Sequence, residues 1–569
     1  VREPLFSHLA FLYGHAGAEK VFPRLLDLIA KYRHATVPSL HRESLDLTER
    51  DSVLITYGDQ VREPGARPLR ALAQFLERHA SEVVSAIHIL PFYPYSSDDG
   101  FSVKDYFSVD PALGGWQDIE HIGRKFDLMF DAVFNHISAQ GEWFRRFLED
   151  DPAFRDFFVT VEGDPDLSAV VRPRALPLLT TFPTAAGPRK VWTTFSADQV
   201  DLNLKNPDVL LAIIEALLFY VARGARFVRL DAIAYLWKEI GTSCIHLAQT
   251  HRVVQLIRAV LDEMAPQVML ITETNVPHAD NVSYFGDGAN EAQLVYNFAL
   301  PPLVLHSIAT GNAEKLTRWA AALKSPFGQA TFFNFLASHD GIGVNPARDI
   351  LSGTEINALV ERAQAHGGFV SYKQNADGSK SPYELNINYF DALSNPGANE
   401  PLEIRIQRFM VAHAIMLSLA GMPGIYFHSL FGSRGDRKGA EDSGIPRRIN
   451  RQKLDRNELE RDLDDPTAPR SQVFLRLKEL LQQRRSNPAF HPCGPQEVVR
   501  CDPRVFAVRR ISPDGRRNVL CLHNVSRETA RVSLPLIADI PRPITQTSTR
   551  RIFPPEKILP PYSFCWVCA

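Results

Sequence analysis

Eight short apolar runs, five of them ending in polar residues, recur between residues 53 and 427: "VLITYGD" (53–59), "AIHILPF" (86–92), "LMFDAVFNH" (128–136), "RFVRLD" (226–231), "VMLITETN" (268–275), "LVYNF" (294–298), "FFNFLASHD" (332–340) and "GMPGIYF" (421–427). A half-exposed strand would alternate apolar and polar positions. Near-continuous apolarity instead marks strands buried on both faces, as in parallel sheets. Helical patterns separate most of the runs, such as "PDVLLAIIEALLFYVAR" (207–223), which has Pro207 at its start and Gly224 just past its end. Strand–helix alternation repeated eight times predicts an α/β protein built on a (β/α)8 barrel.

At 569 residues the chain exceeds what one hydrophobic core accommodates, so further modules are expected. Residues 1–50 read as a helical extension. The barrel then runs through 51–136, 201–340 and 401–489, interrupted at 137–200 and 341–400. The first interruption holds "VVRPRALPLLTTFPTAAGPRKVWTTFS" and the second "GGFVSYKQNADGSKSPYELNINYFDAL". Segments this long are functional or carry small subdomains, and both follow strand ends where barrel enzymes place their active sites. From 490 to 569, runs such as "RVFAVRR" and "RNVLCLHNVS" predict a β domain.

The 63 basic and 65 acidic side chains leave a formal charge of -2, so no global field calls for nucleic acid or an anionic membrane. No run reaches the roughly 18 apolar residues of a membrane span, and the first residues lack a signal-peptide pattern, making the cytoplasm the expected compartment. Six cysteines are too sparse for a disulfide framework, and the lone Cys565–Cys568 CxxC reads as reduced and structural. Neither an EF-hand loop nor a His/Cys cluster is present, so no metal or cofactor is expected. The N-terminal helices and the β domain offer surfaces for a homodimer, although no heptad run specifies one.

Polar residues gather at the ends of the runs: Asp131, Asn135 and His136 after the third, Arg229 and Asp231 on the fourth, Glu273 and Asn275 on the fifth, His339 and Asp340 on the seventh. In a barrel, Asp231, Glu273 and Asp340 would face one rim. Three converging carboxylates split their pKa values, leaving one protonated near neutrality while others stay ionised. That division suits glycosidic-bond chemistry, with one carboxylate as nucleophile and another as general acid. Arg229, on the same strand face as Asp231, would support its negative charge. Any one such carboxylate alone would be an ordinary helix cap or surface ion pair.

"DAVFNH" (131–136), "ARFVRLDA" (225–232), "ITETN" (271–275) and "LASHD" (336–340) resemble the four signature regions of the α-amylase-type glycoside hydrolases. Within that superfamily, "HILPFYPYSSDDGFSVKDY" (88–106), "VRPRALPL" (171–178), "VWTTFSADQVDLN" (191–203), "KEIGTSCIHL" (238–247) and "RRINR" (447–451) are similar to the sucrose phosphorylase subfamily. The resemblance covers residues 51–569. It implies a retaining double displacement in which Asp231 is the nucleophile, Glu273 the general acid/base and Asp340 the stabiliser of the transition state. It further implies that Asp98, His136, Arg229, His339 and Arg451 grip a glucosyl unit over Phe101, with Arg447 and Arg448 as rivals of Arg451.

The carboxylates alone do not say whether water or phosphate resolves the intermediate. A phosphate dianion calls for cationic or hydrogen-bonding neighbours, and arginine suits it best. Arg172 and Arg174 lie in the first insertion, and the resemblance favours Arg174, joined by Tyr235, Gln199, Asn275 and Lys373 on the acceptor side. The chain departs from sucrose phosphorylases at Asn275, where those enzymes carry histidine, and in its longer second insertion. These departures resemble the branch containing glucosylglycerate phosphorylases, implying 2-O-α-D-glucosylglycerate and phosphate as small-molecule substrates. Glucosylglycerol, sucrose and sucrose 6-phosphate are alternative donors. A hydrolase or transglucosidase, or a non-catalytic sugar-binding protein, are the readings from other classes.

Overall fold

The structure, a computed structural model, describes residues 2–33, 46–323, 330–375, 377–533 and 556–568. Eight parallel strands close into a barrel: β1 (Val53–Thr56), β2 (Ala86–Ile89), β3 (Asp127–Ala132), β4 (Ala225–Leu230), β5 (Met269–Thr272), β6 (Leu294–Tyr296), β7 (Thr331–Phe335) and β8 (Met422–Tyr426). Each pairs with its sequence neighbours, and β1 closes on β8 with Val53 opposite Gly424. Every residue of these strands is buried, which is why the sequence shows apolar runs rather than alternation. The fold is the expected (β/α)8 barrel.

The strands are shorter than the runs that announced them. β3 stops at Ala132, β4 at Leu230, β5 at Thr272 and β7 at Phe335, so Asn135, His136, Asp231, Glu273, His339 and Asp340 stand beyond the last barrel pairing. That is where backbone leaves the ladder and side chains become available to a ligand.

Between β3 and β4, His136–Ser138 pairs antiparallel with Gln199–Asp201, and Thr160–Val161, Leu179–Thr184 and Gly187–Trp192 form a small sheet. Between β7 and β8, Ile342–Gly343, Phe369–Gln374 and Lys380–Asn386 form another, flanked by the helix Gly353–Ala365. The end of the chain builds an antiparallel sheet from Gln496–Val499, Val505–Ile511, Asn518–Asn524 and Phe564–Cys568. Among the described residues, no disulfide joins any of the six cysteines.

The helix Arg2–Tyr32 carries two apolar stripes, Leu5 and Leu9 before a break at Gly14 (φ 72°), then Ala18, Val21, Leu25 and Ile29 after it. These residues are buried where the helix packs on Pro207–Ala222 and Ala248–Met264, the barrel helices flanking β4. Residues 34–45, within the helical reading of 1–50, lie outside the described residues. Among the described residues, no helix is long and apolar enough to cross a membrane.

Candidate active site

Arg229 is the hub beneath the cleft. It sits opposite Asp131 in the β3–β4 register, only 2 % exposed, and its Nη1 donates to Asp131 Oδ1 at 2.5 Å and Asp231 Oδ1 at 2.7 Å. Its Nη2 lies 3.8 Å from Glu273 Oε2. Asp131 in turn meets His88 Nε2 at 2.7 Å. A buried guanidinium ringed by three carboxylates keeps its charge, and Arg229 is accordingly held well above its ordinary value despite the cost of burial.

The turn after β4 is unusual. Ala232 adopts a left-handed conformation (φ 49°, ψ 33°), which costs a non-glycine residue about 1–2 kcal/mol. This conformation aims the Ala232 N–H at Glu273, donating to Oε2 at 3.1 Å. The strained peptide and Arg229 thus bring Asp231 and Glu273 into one cluster.

The three carboxylates titrate differently. Burial above all, joined by Asp231 and Asp340 and opposed by Arg229, raises Glu273 to about 7. Burial also raises Asp231 above the usual carboxylate range, with Arg229 and His136 as the main opposing influences. Asp340 goes the other way. Its burial is outweighed by Arg447 at 2.7 Å and Arg451, which hold it well below the ordinary range. Near neutral pH the cleft therefore contains a firmly ionised Asp340 and a Glu273 able to give or take a proton.

Asp98, Phe101, His136, Arg174, Gln199, Asp231, Tyr235, Glu273, Asn275, His339 and Asp340 all line a single cleft. Phe101 stacks on His339 with centroids 4.8 Å apart and planes within 7°, while burial pushes His339 down to about 3 and keeps it neutral. His136 Nε2 donates to the Phe101 carbonyl at 3.0 Å, its Nδ1 accepts from Asn135 at 3.2 Å, and the Gln199 amide lies 3.2 Å from Nε2. Asn135 is fixed by Lys238, whose buried Nζ contacts Asn135 Oδ1 and Asp201 Oδ2, each at 2.6 Å.

Arg229, Arg448, Arg451 and Lys373, named from the sequence, stand outside that lining. Arg229 lies beneath the lining. Arg451 is buried behind it, donating to the His339 carbonyl at 3.0 Å and to Asp99 at 2.8 Å, with Asp98 at 3.5 Å. Arg448 pairs with Asp99, and it is Arg447 that reaches the lining. Lys373 does not reach it; its Nζ donates to Asn345 Oδ1 at 3.0 Å, and Asn345 donates to the Asn275 carbonyl at 3.3 Å.

The sequence reading passed over Phe195, Thr274 and Tyr383 in the lining, and Glu384 behind it. Their only sequence signal was position, on or beside the two long insertions or next to Glu273. Among the described residues, no group of three or more His, Cys, Asp or Glu side chains is placed to hold a metal ion.

Comparison with known proteins gives this geometry a family. The model of the α-amylase catalytic domain matches residues 81–343. A glucosylglycerate phosphorylase from Allomeiothermus silvanus is 51 % identical over 533 residues, covering 94 % of both chains. The chain belongs to the α-amylase family, on its glycoside phosphorylase branch. A second glucosylglycerate phosphorylase, from Escherichia coli K12, is 47 % identical over 536 residues, covering 94 % of this chain and 95 % of its own. Among solved structures, the sucrose 6F-phosphate phosphorylase from Thermoanaerobacter thermosaccharolyticum superposes with a TM-score of 0.73 at 24 % identity, covering 85 % of this chain and 96 % of that one. At that identity the likeness speaks for the family's shared fold.

Proposed function

We propose that this protein is a retaining glucoside phosphorylase that converts 2-O-α-D-glucosylglycerate and phosphate reversibly into α-D-glucose 1-phosphate and D-glycerate. The observation that carries the phosphorylase reading is Arg174, which shares the wall of one cleft with Asp231, Glu273 and Tyr235. A cation beside the reacting carboxylates favours an anionic second substrate over water. The choice of glycerate is supported by the two relatives named as glucosylglycerate phosphorylases.

In this reading, Asp231 attacks the anomeric carbon of the glucosyl unit. The bond from that carbon to the glycerate oxygen breaks, and protonated Glu273 gives its proton to the departing oxygen. The β-glucosyl ester on Asp231 is then attacked by a phosphate oxygen, Asp231 leaves as carboxylate, and ionised Glu273 recovers a proton from the incoming phosphate. Two inversions give net retention. Asp340, kept anionic by Arg447, faces the positive charge that develops on the sugar. Phe101 offers its apolar face to the sugar's C–H face, and Asp98 and His136 are placed for its hydroxyls. Tyr235, whose hydroxyl stays neutral because burial raises it well above its ordinary value, is a donor for phosphate beside Arg174.

The test is to incubate the protein with glucosylglycerate and phosphate and identify the sugar product. α-D-Glucose 1-phosphate is expected. Free glucose formed at the same rate with or without phosphate would make the protein a hydrolase and refute the proposal.

A further inference from the structure

Glu384 belongs to none of the signature regions and makes no contact with the carboxylates that do the chemistry, yet it is 1 % exposed at the edge of the cleft. It lies on Lys380–Asn386, in register with Gly343 of the short strand that follows Asp340. One carboxylate oxygen, Oε1, accepts the backbone N–H of Gly341. The other, Oε2, accepts from Arg447 Nη2 at 2.8 Å and Nε at 3.2 Å, and lies 4.0 Å from Arg174 Nη1. Arg447 spends its remaining nitrogen, Nη1, on Asp340 at 2.7 Å. Its guanidinium plane is therefore fixed from both sides by two carboxylates, of which Glu384 belongs to the 341–400 insertion.

Resting on the phosphorylase reading, we infer that Glu384 is a positioning residue: it locks Arg447 in place and draws Arg174 toward the cleft, so that the two arginines present a fixed site to the anionic second substrate, phosphate in one direction and a small carboxylate in the other. The residue joins three separate stretches of chain, the turn after β7, the segment after β8 and the insertion after β3. The seat of the second substrate is thereby completed only when both insertions have folded onto the barrel.

A glutamine tests this sharply. It offers one acceptor oxygen where Glu384 uses two, so its amide nitrogen must face either the Gly341 N–H or the Arg447 guanidinium, donor against donor. Glu384→Gln is expected to raise the KM for phosphate, and for glycerate in the reverse direction, by roughly tenfold, the worth of one charge-assisted hydrogen bond. Hydrolysis of α-glucosyl fluoride without phosphate, which needs only the glucosyl half of the site, is expected to change far less. A lowered phosphate KM, the result if Glu384 served only as counter-charge, would overturn the inference, as would an equal loss of both activities. If the melting temperature shows that Glu384→Gln does not fold, Glu384→Asp carries the test. It keeps two acceptor oxygens on a shorter arm, so an intermediate phosphate KM is expected and an unchanged one overturns the inference. A wild-type protein that releases glucose instead of glucose 1-phosphate would refute the phosphorylase reading itself, a separate outcome.

Discussion

Arg229→Met would remove the cation that three carboxylates share while keeping a similar apolar volume in the barrel. Because Arg229 is 2 % exposed, water does not replace it, and both Asp131 and Asp231 lose a direct donor. Breaking a buried ion pair from one side costs about 3–5 kcal/mol, because it strands an uncompensated buried charge, which taking up a proton relieves. If that penalty falls on Asp231, the proposed nucleophile is neutral in most molecules at neutral pH, and glucosyl transfer drops by roughly 10²- to 10⁴-fold. The sign is fixed. In the proposed mechanism Asp231 must be ionised to attack, so raising its pKa moves the acid limb of the kcat/KM profile to higher pH. The assay is phosphorolysis of glucosylglycerate across pH, alongside the melting temperature of each variant. Arg229→Lys, which retains a single cationic point, is expected to fall between wild type and Arg229→Met. A folded Arg229→Met whose acid limb does not move would refute the role given to Arg229.

Three further outcomes follow from the same geometry. In the proposed mechanism Glu273 acts first as an acid, and it is held at about 7, so kcat/KM for the donor is expected to fall as pH rises through that value, and Glu273→Gln to lose this basic limb; a limb that persists in the variant assigns it to another group. Arg174→Ala is expected to impair phosphorolysis by tenfold or so while sparing hydrolysis of an activated glucoside, and equal losses of both would remove Arg174 from the phosphate seat. Ala232→Gly relieves the left-handed strain at φ 49°, so thermal unfolding should show stability unchanged or raised by about 1 kcal/mol, whereas a clear loss would contradict the strain assigned to that turn.

The barrel was legible because parallel strands buried on both faces leave continuous apolar runs, and a polar residue ending such a run has few places to go. Asp231, Glu273 and Asp340 could thus be read as facing one rim before any coordinates, and they share one cleft. Ala232 gave no warning. Nothing in "LDAIAY" distinguishes an alanine held left-handed from one in a helix, because the tertiary hydrogen bond to Glu273 sets the turn. Tyr383 and Glu384 were hidden for a related reason. Their stretch, "SPYELN", reaches the cleft only because Lys380–Asn386 pairs with the strand after Asp340, and long-range register leaves no local trace. The arginines of "RRINR" show the same limit. One turn separates the residue at the cleft, Arg447, from the residue buried behind it, Arg451, and spacing alone does not rank them.

The most direct test of the account is the reverse reaction. α-D-Glucose 1-phosphate would be supplied with D-glycerate, glycerol, fructose or fructose 6-phosphate in parallel, and phosphate release measured. The account predicts rapid release with D-glycerate and little with the others; release with one of the neutral or phosphorylated acceptors and none with D-glycerate would contradict it.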